Sequence, residues 1–593
     1  MSYKFFRLAF LSFFALYISY GCSSTKNAYT FEDLLYKDGR PLTIKVKDDN
    51  ADRRFNFYFL EANRLKMLGD KGNASLYYTE AIKIDSTCAT CYFEIANLLI
   101  QNEEYKSATE YLFKAVQYDP DNEYFLYLLS KLYASNGSYT EALLSAKYLS
   151  DKYPENIEYL YHLAHLQSQV GNFGGAILSL NLMESLMGVN EVISVEKHAL
   201  WLELGEKKLA ERELLELIKS YPLNSDYLVY LGDFYIQQGD GARALETYNK
   251  VLTEFPANGL VYFSLANYYY QNKDIEAFKR NLTIAFSNPN IDLESKIKRI
   301  TPFLMSMEAQ DNPIKIYELE EFFNLIVTTH PYESSIHVLQ GNFLNHINKD
   351  SLAINSYETA LLIDEQQPEV WHEYLLLLFS MEHKEKFFAE SEKAVKLYPE
   401  NGIFAYMAGF ASMFVENNSE AISYFNKSLN LSNDNNDLKS QIYGLLGDLY
   451  FGMEERQKSF ESYEKSLELK KDNVVVLNNY AYYLSLEGLE LQKAEQMISK
   501  VIEFEPTNPT YLDTYAWVLF KRGKYLEALY IIEQAISNGG DEMGAVLEHY
   551  GDILYMNGNQ DGALKYWKLA LESEDEITDV LKKKIEKREY FAE

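Results

Sequence analysis

Basic residues, cysteines, prolines and tryptophans are all scarce in this 593-residue chain. Lysine and arginine number 56 against 87 aspartates and glutamates, which sets the net charge at −31. So acidic a chain has no electrostatic footprint for nucleic acid. Its charge fits a solvated outer surface, or the steering of a basic partner. The three cysteines, Cys22, Cys88 and Cys91, are too few for a disulfide framework or for two pairs of zinc ligands. Cys88 and Cys91 stand as C-x-x-C in a turn between helical patterns, not after a strand, so the redox-motif reading lacks its context. They read as a structural dithiol or a local disulfide, with a metal or redox role as the alternatives. Neither a G-x-S-x-G, a P-loop nor an H-E-x-x-H pattern occurs. His162 and His165 share a helical face but have no third ligand at ligand spacing. The sequence therefore predicts no enzyme, cofactor or metal centre.

Aromatic residues, by contrast, are abundant, with 50 Tyr and 34 Phe, and they recur with a period of 34. Residues 225–258 show the unit. Leu228, Leu231, Gly232 and Tyr235 lie on one helical face. Gly239, Asp240 and Gly241 make a turn. Ala244, Tyr248 and Val251 form a second stripe, and Pro256 stops it. Stepping by 34 finds a residue of the first helix at Ala62, Ala96, Ser130, Ala164, His198, Gly232 and Ala266. The matching residue of the second helix falls at Ala74, Ala108, Ala142, Ala176, Ala210 and Ala244. Small side chains are required where the two helices of a hairpin cross closely. His198 and Phe278 break this rule and predict local distortion. A unit of this kind cannot bury its apolar face alone, so stability comes from stacked neighbours.

In chain order, Lys4 and Arg7 precede an apolar run over 8–20, of signal-peptide rather than membrane-spanning length. It ends in Gly21-Cys22-Ser23, which resembles a bacterial lipoprotein lipobox, with Ser19 and Ile18 near the place of the usual leucine. The resemblance implies a signal peptide at 1–21, lipidation of Cys22 and an anchor in the outer membrane; the alternative is an ordinary secretory signal. Residues 22–54 read as a polar tether. Repeats one to seven occupy 55–288. Residues 289–333 hold four prolines and read as a degenerate helix pair over about 292–308 and 314–329, either a hinge or an ordinary divergent unit. Repeats nine to fifteen fill 334–577, with an insertion at 433–437. Residues 578–593 form a capping helix with a polar outer face.

The whole span 55–577 resembles tetratricopeptide repeat proteins. The resemblance implies an all-α fold, a helix-turn-helix solenoid of about 14–15 repeats wound as a right-handed superhelix, in which first helices line the inner face. There, Phe59, Phe93, Tyr127 and Tyr161 form a ladder 34 apart, with Phe263 and Tyr406 at equivalent positions. Asn63, Asn97, Asn267 and Asn342 stand four residues further on from the ladder position. Aromatics that grip side chains, beside amides that bond a peptide backbone, make a groove for an extended segment or a partner helix. Alternatively the aromatics fill gaps between repeats and the asparagines bond locally. Segments 477–498, 511–529 and 547–571 resemble the closing repeats of bacterial outer-membrane lipoproteins of this class. That implies an adaptor facing the periplasm, with a carboxyl-terminal processing protease and cell-wall hydrolases as partners. A lipoprotein subunit of a secretion, gliding or outer-membrane assembly machine is the alternative.

Overall fold

The structure, a computed structural model, describes residues 29–41, 45–46, 48, 50–309, 312–432, 435–573 and 578–592. The expected signal peptide and Cys22 lie outside them, as do residues 433–434 of the expected insertion. Every regular element among the described residues is helical. The chain divides into two compact units, 1–292 and 293–593.

The first unit holds seven antiparallel helix pairs, from Ala51–Met67 with Lys71–Ile84 to Val261–Gln271 with Ile275–Phe286. The second holds eight, from Leu293–Met305 with Ile316–Thr329 to Gly544–Met556 with Gln560–Glu572, followed by a closing helix, Asp579–Lys587. The degenerate pair is thus two true helices, with Pro302 inside the first of them.

Local chemistry fixes the boundaries. Asn122, Asn156, Asn401 and Asn508 each stand two residues after a proline and cap a first helix, their side-chain oxygens accepting backbone N–H groups. Asp70, Asn172, Asp240, Asp274, Asn417 and Asn559 do the same for second helices. In the first unit the turn inside each pair holds one left-handed residue. Glycine supplies it at Gly69, Gly137, Gly171, Gly205 and Gly239; Glu103 (φ 62°) and Lys273 (φ 62°) hold the same place in the other two pairs of that unit.

The crossings explain the small-residue register. A Cβ on Gly232 would stand 2.3 Å from Tyr248 Cε1, and one on Gly447 2.5 Å from Tyr463 Cε1. Gly341 faces Tyr357, Gly409 faces Phe425 and Gly551 faces Trp567 in the same way. A buried aromatic of the second helix thus packs straight onto first-helix backbone. At the two exceptions the expected distortion breaks no helix. His198 turns its Nδ1 to the Ala210 carbonyl at 2.9 Å, with its ring edge-on to Phe234. Phe278 is buried beside Ala277, its ring 5.1 Å from Tyr270.

One expectation needs correction. The segment 22–54 is not wholly a tether. Thr30 caps a short helix, Phe31–Leu35, through a reciprocal bond pair with Asp33. Phe31 and Leu35 are buried, Phe31 stacks near Tyr148, and Gln117 Nε2 donates to the Leu35 carbonyl at 2.7 Å. Further on, Lys45 bridges Asp85 and Val46 N–H donates to the Ile84 carbonyl. The closing helix also carries more than a polar face. Lys584 is 1% exposed and donates to Glu548 and Asp552, each at 2.7 Å. Burial pushes the Asp552 carboxyl up to about 6, while Lys584 opposes the rise. Cys88 and Cys91 are joined as a disulfide at the start of Ala89–Gln101, where Cys88 is the cap residue.

Candidate protein-binding surface

The ladder residues sit on successive first helices, as their spacing requires, but they differ in what they present. Phe59 is half-buried, 6.1 Å from Tyr78. Phe93 stacks on Phe125 of the next pair with centroids 4.6 Å apart. Tyr127 lies between Tyr159 at 5.3 Å and His162 at 5.2 Å, with the Lys131 ammonium 4.1 Å above its ring. Tyr161 is 41% exposed. These rungs fill the seams between pairs and show one edge to solvent. Phe263 departs from the expectation: it is buried, edge-on to Phe286, and presents no surface for a partner. His162 is half-buried in the same seam. Its Nε2 bonds Ser130 Oγ at 2.9 Å, and no metal-holding group of side chains occurs among the described residues. Burial, with Lys131 and His165 adding to it, pulls the His162 imidazole down to about 4.

The asparagines divide into two kinds. Asn63 accepts from Tyr78 Oη at 3.0 Å and donates to the Phe59 carbonyl, and Asn342 accepts from Tyr357 Oη at 2.8 Å. In both cases the tyrosine stands 15 residues on, in the second helix of the same pair. Asp233 with Tyr248, Asp448 with Tyr463 and Asp552 with Trp567 repeat the bond. This position holds a helix pair together, so Asn63 and Asn342 are not free amides. At the same offset Asn97 and Asn267 meet Leu112 and Leu282, which offer no hydroxyl. Asn97 is half-buried and Asn267 exposed. They are the two amides of the set left to face a ligand.

In the second unit Tyr406 stands between non-aromatic neighbours at the ladder position, with His372 before it. Tyr406 is followed at the equivalent position of the next first helix, Asn436–Gly452, by Gly444. A Cβ there would stand 2.6 Å from Val476 Cγ2, so the first helix of the next pair, Val474–Leu486, packs close to backbone. Above this missing rung lies a cavity of about 420 Å3 lined by Tyr406, Gln441, Leu445, Asp448, Val475 and Asn479. Its apolar walls include Val475, which is 57% exposed. Its polar edge is ordered: Asp448 accepts from Tyr463 Oη at 2.5 Å and from Asn479 Nδ2 at 3.1 Å. Burial raises the Asp448 pKa, and those two donors oppose the rise. Sequence reasoning found Tyr406 but missed Gly444; the signal was a glycine three residues before Gly447, where six units carry an aromatic and Val, His, Asn, Asp or Glu stands in others.

Residues 93–157 and 202–259 match one tetratricopeptide repeat family model, and residues 440–473 match another. No curated protein matches the sequence. Among solved structures the chain is similar to the Naa15/Naa10 complex bound to HypK-THB, at 14% identity and TM-score 0.35 over 94% of this chain and 96% of that one. The Cut9–Hcn1 hetero-tetramer structure of APC/C matches at 14% identity and TM-score 0.33, over 84% and 96%. A tetratricopeptide repeat protein from Parabacteroides merdae matches at 18% identity and TM-score 0.26, over 42% and 99%. With repeat matches in both units, and helix pairs of one design filling the chain from Ala51 to Glu572, the fold is an all-α array of tetratricopeptide-type repeats.

Proposed function

We propose that this chain is a non-enzymatic scaffold that binds partner proteins along its first-helix faces and is held at a bacterial cell envelope through Cys22. The observation that supports the binding half is the missing rung at Gly444. A preformed apolar notch edged by Gln441 and Asn479 takes one side chain of an extended segment while the amides bond its backbone. The anchoring half is supported by Lys4, Arg7, the apolar run over 8–20 and the Gly21-Cys22 pair. The mechanism is stoichiometric. Bound partners are held together near the membrane, where their effective concentration rises. In its more specific form the scaffold is an adaptor that brings cell-wall hydrolases to a processing protease.

The test compares proteins captured by the intact, detergent-extracted chain with those captured by Tyr406→Ala and Val475→Asp. Val475 is exposed, so its substitution leaves the fold intact, which circular dichroism checks. Protease and hydrolases held by the wild type and lost from both variants is the expected result. Identical captures by all three chains would remove the notch from the mechanism. Secretion components without a protease would replace the adaptor with a subunit of an export machine.

A further inference from the structure

Second helices carry charges at their outermost positions in most of the first unit. Glu110 and Lys114, Arg212 and Glu216, and Glu246 and Lys250 occupy matching places at multiples of 34 residues. The first and seventh pairs each carry one charge there, Glu80 beside Leu76 and Arg280 beside Ile284, and two pairs carry none. In the third, Leu144 and Tyr148 stand there, and the docked Phe31–Leu35 helix packs on this second helix, with Phe31 5.2 Å from Tyr148. In the fourth, Leu178, Leu182 and Leu186 stand there with none of the described residues over them, at 71%, 42% and 44% exposure, and Met187 beside them at 53%. Their helix, Phe173–Met187, has one charged residue, Glu184, whose carboxylate is paired with Lys197 at 2.8 Å. This is a neutral apolar stripe, where the matching places of the first, second, fifth, sixth and seventh pairs each carry at least one charge.

We propose that this stripe lies against a lipid bilayer surface. The proposal rests on the anchoring reading of Cys22. What it adds is a short tether and a direction. The chain is fixed at Phe31, on the helix pair next to the stripe, and nine residues from Cys22 to Phe31 reach at most about 30 Å. An acylated Cys22 therefore holds the second helices of the third and fourth pairs close to the headgroups. Acyl chains give the stable attachment, and the leucines add a shallow apolar contact that sets which face turns to the membrane. The net charge of −31 opposes anionic lipid, so the surface it fits is a zwitterionic one.

The acylated full-length protein is reconstituted in phosphatidylcholine vesicles containing lipid with a nitroxide on its headgroup. With Cys88 and Cys91 bonded and Cys22 acylated, one added cysteine carries an environment-sensitive fluorophore, at Leu178→Cys or, for reference, Asn267→Cys. Several-fold stronger quenching at 178 than at 267 is expected, falling to the reference level when Leu182→Lys and Leu186→Lys are added. Equal weak quenching at both sites, with acyl chains on Cys22 confirmed by mass, would overturn the proposal and leave the anchor standing. A blue-shifted but unquenched probe at 178 with a dimeric mass by light scattering would assign the stripe to a second copy instead. An N-terminal peptide without acyl chains would remove the anchoring reading and this proposal with it.

Discussion

A missing side chain decides how closely the helices of a pair approach. Tyr248 is fully buried against Gly232 and donates to Asp233 at 2.7 Å, so its ring has no room to retreat. Gly232→Ala is expected to destabilise the sixth pair by about 2 kcal/mol, although alanine is the better helix former by about 1 kcal/mol. Hydrogen exchange in Asp226–Gln237 reads the change. At His162 the variable is the proton. The unfolded chain binds it below pH ~6.5 and the folded chain only below about 4, so the folded state loses stability as pH falls through that interval. His162→Gln is expected to flatten the dependence, seen as a smaller drop in urea midpoint between pH 7 and pH 5 than in the wild type. The same scale shows why the asparagine set was only half readable. An amide's exposure depends on what stands 15 residues on, and a tyrosine at 78 or 357 claims it where a leucine at 112 or 282 does not.

At the scale of the element, the turn inside each pair is the plainest target. Glu382 sits at φ 55° in a place where eight other pairs use glycine. Glu382→Gly removes the left-handed penalty of about 1–2 kcal/mol and returns part of it as unfolded-chain entropy, for an expected gain of about 0.5–1 kcal/mol. Exchange from Pro368–Ser380 and Lys384–Leu397 measures it. The closing helix is the opposite case. Burial works against the Lys584 charge, but Asp552 and Glu548 outweigh it and hold its pKa above the usual lysine value. Lys584→Met leaves two carboxylates facing each other without their cation, at an expected cost of about 3 kcal/mol. These two elements mark the limit of pattern reading. The closing helix was legible as amphipathic, yet a lysine among lysines gave no sign that one was buried. A five-residue helix such as Phe31–Leu35 is too short to show a period, so its docking could be found only once Tyr148 and Gln117 were in place.

For each unit as a whole, stability passes from neighbour to neighbour. The Lys584→Met defect should therefore speed exchange most in Gly544–Met556, less in Pro509–Lys521, and not at all in Ala51–Met67. A uniform change along the chain would show a cooperativity that nearest-neighbour packing does not provide. The repeat itself was the most legible feature, because a strict step of 34 survives wherever helix crossings demand a small residue. The missing rung was less so, because Gly444 stands beyond the insertion at 433–437, which shifts the count from 34 to 38. The leader segment, finally, has a mechanical meaning. Among the described residues, a pull from the N-terminal side meets Phe31–Leu35 first and enters the array at Tyr105–Tyr118 and Tyr139–Lys152, as shear across side chains already packed. The first pair, spliced to the segment again at Lys45 and Asp85, lies off the load path, so a tug that would peel an unprotected end helix by helix has to break a lap joint instead.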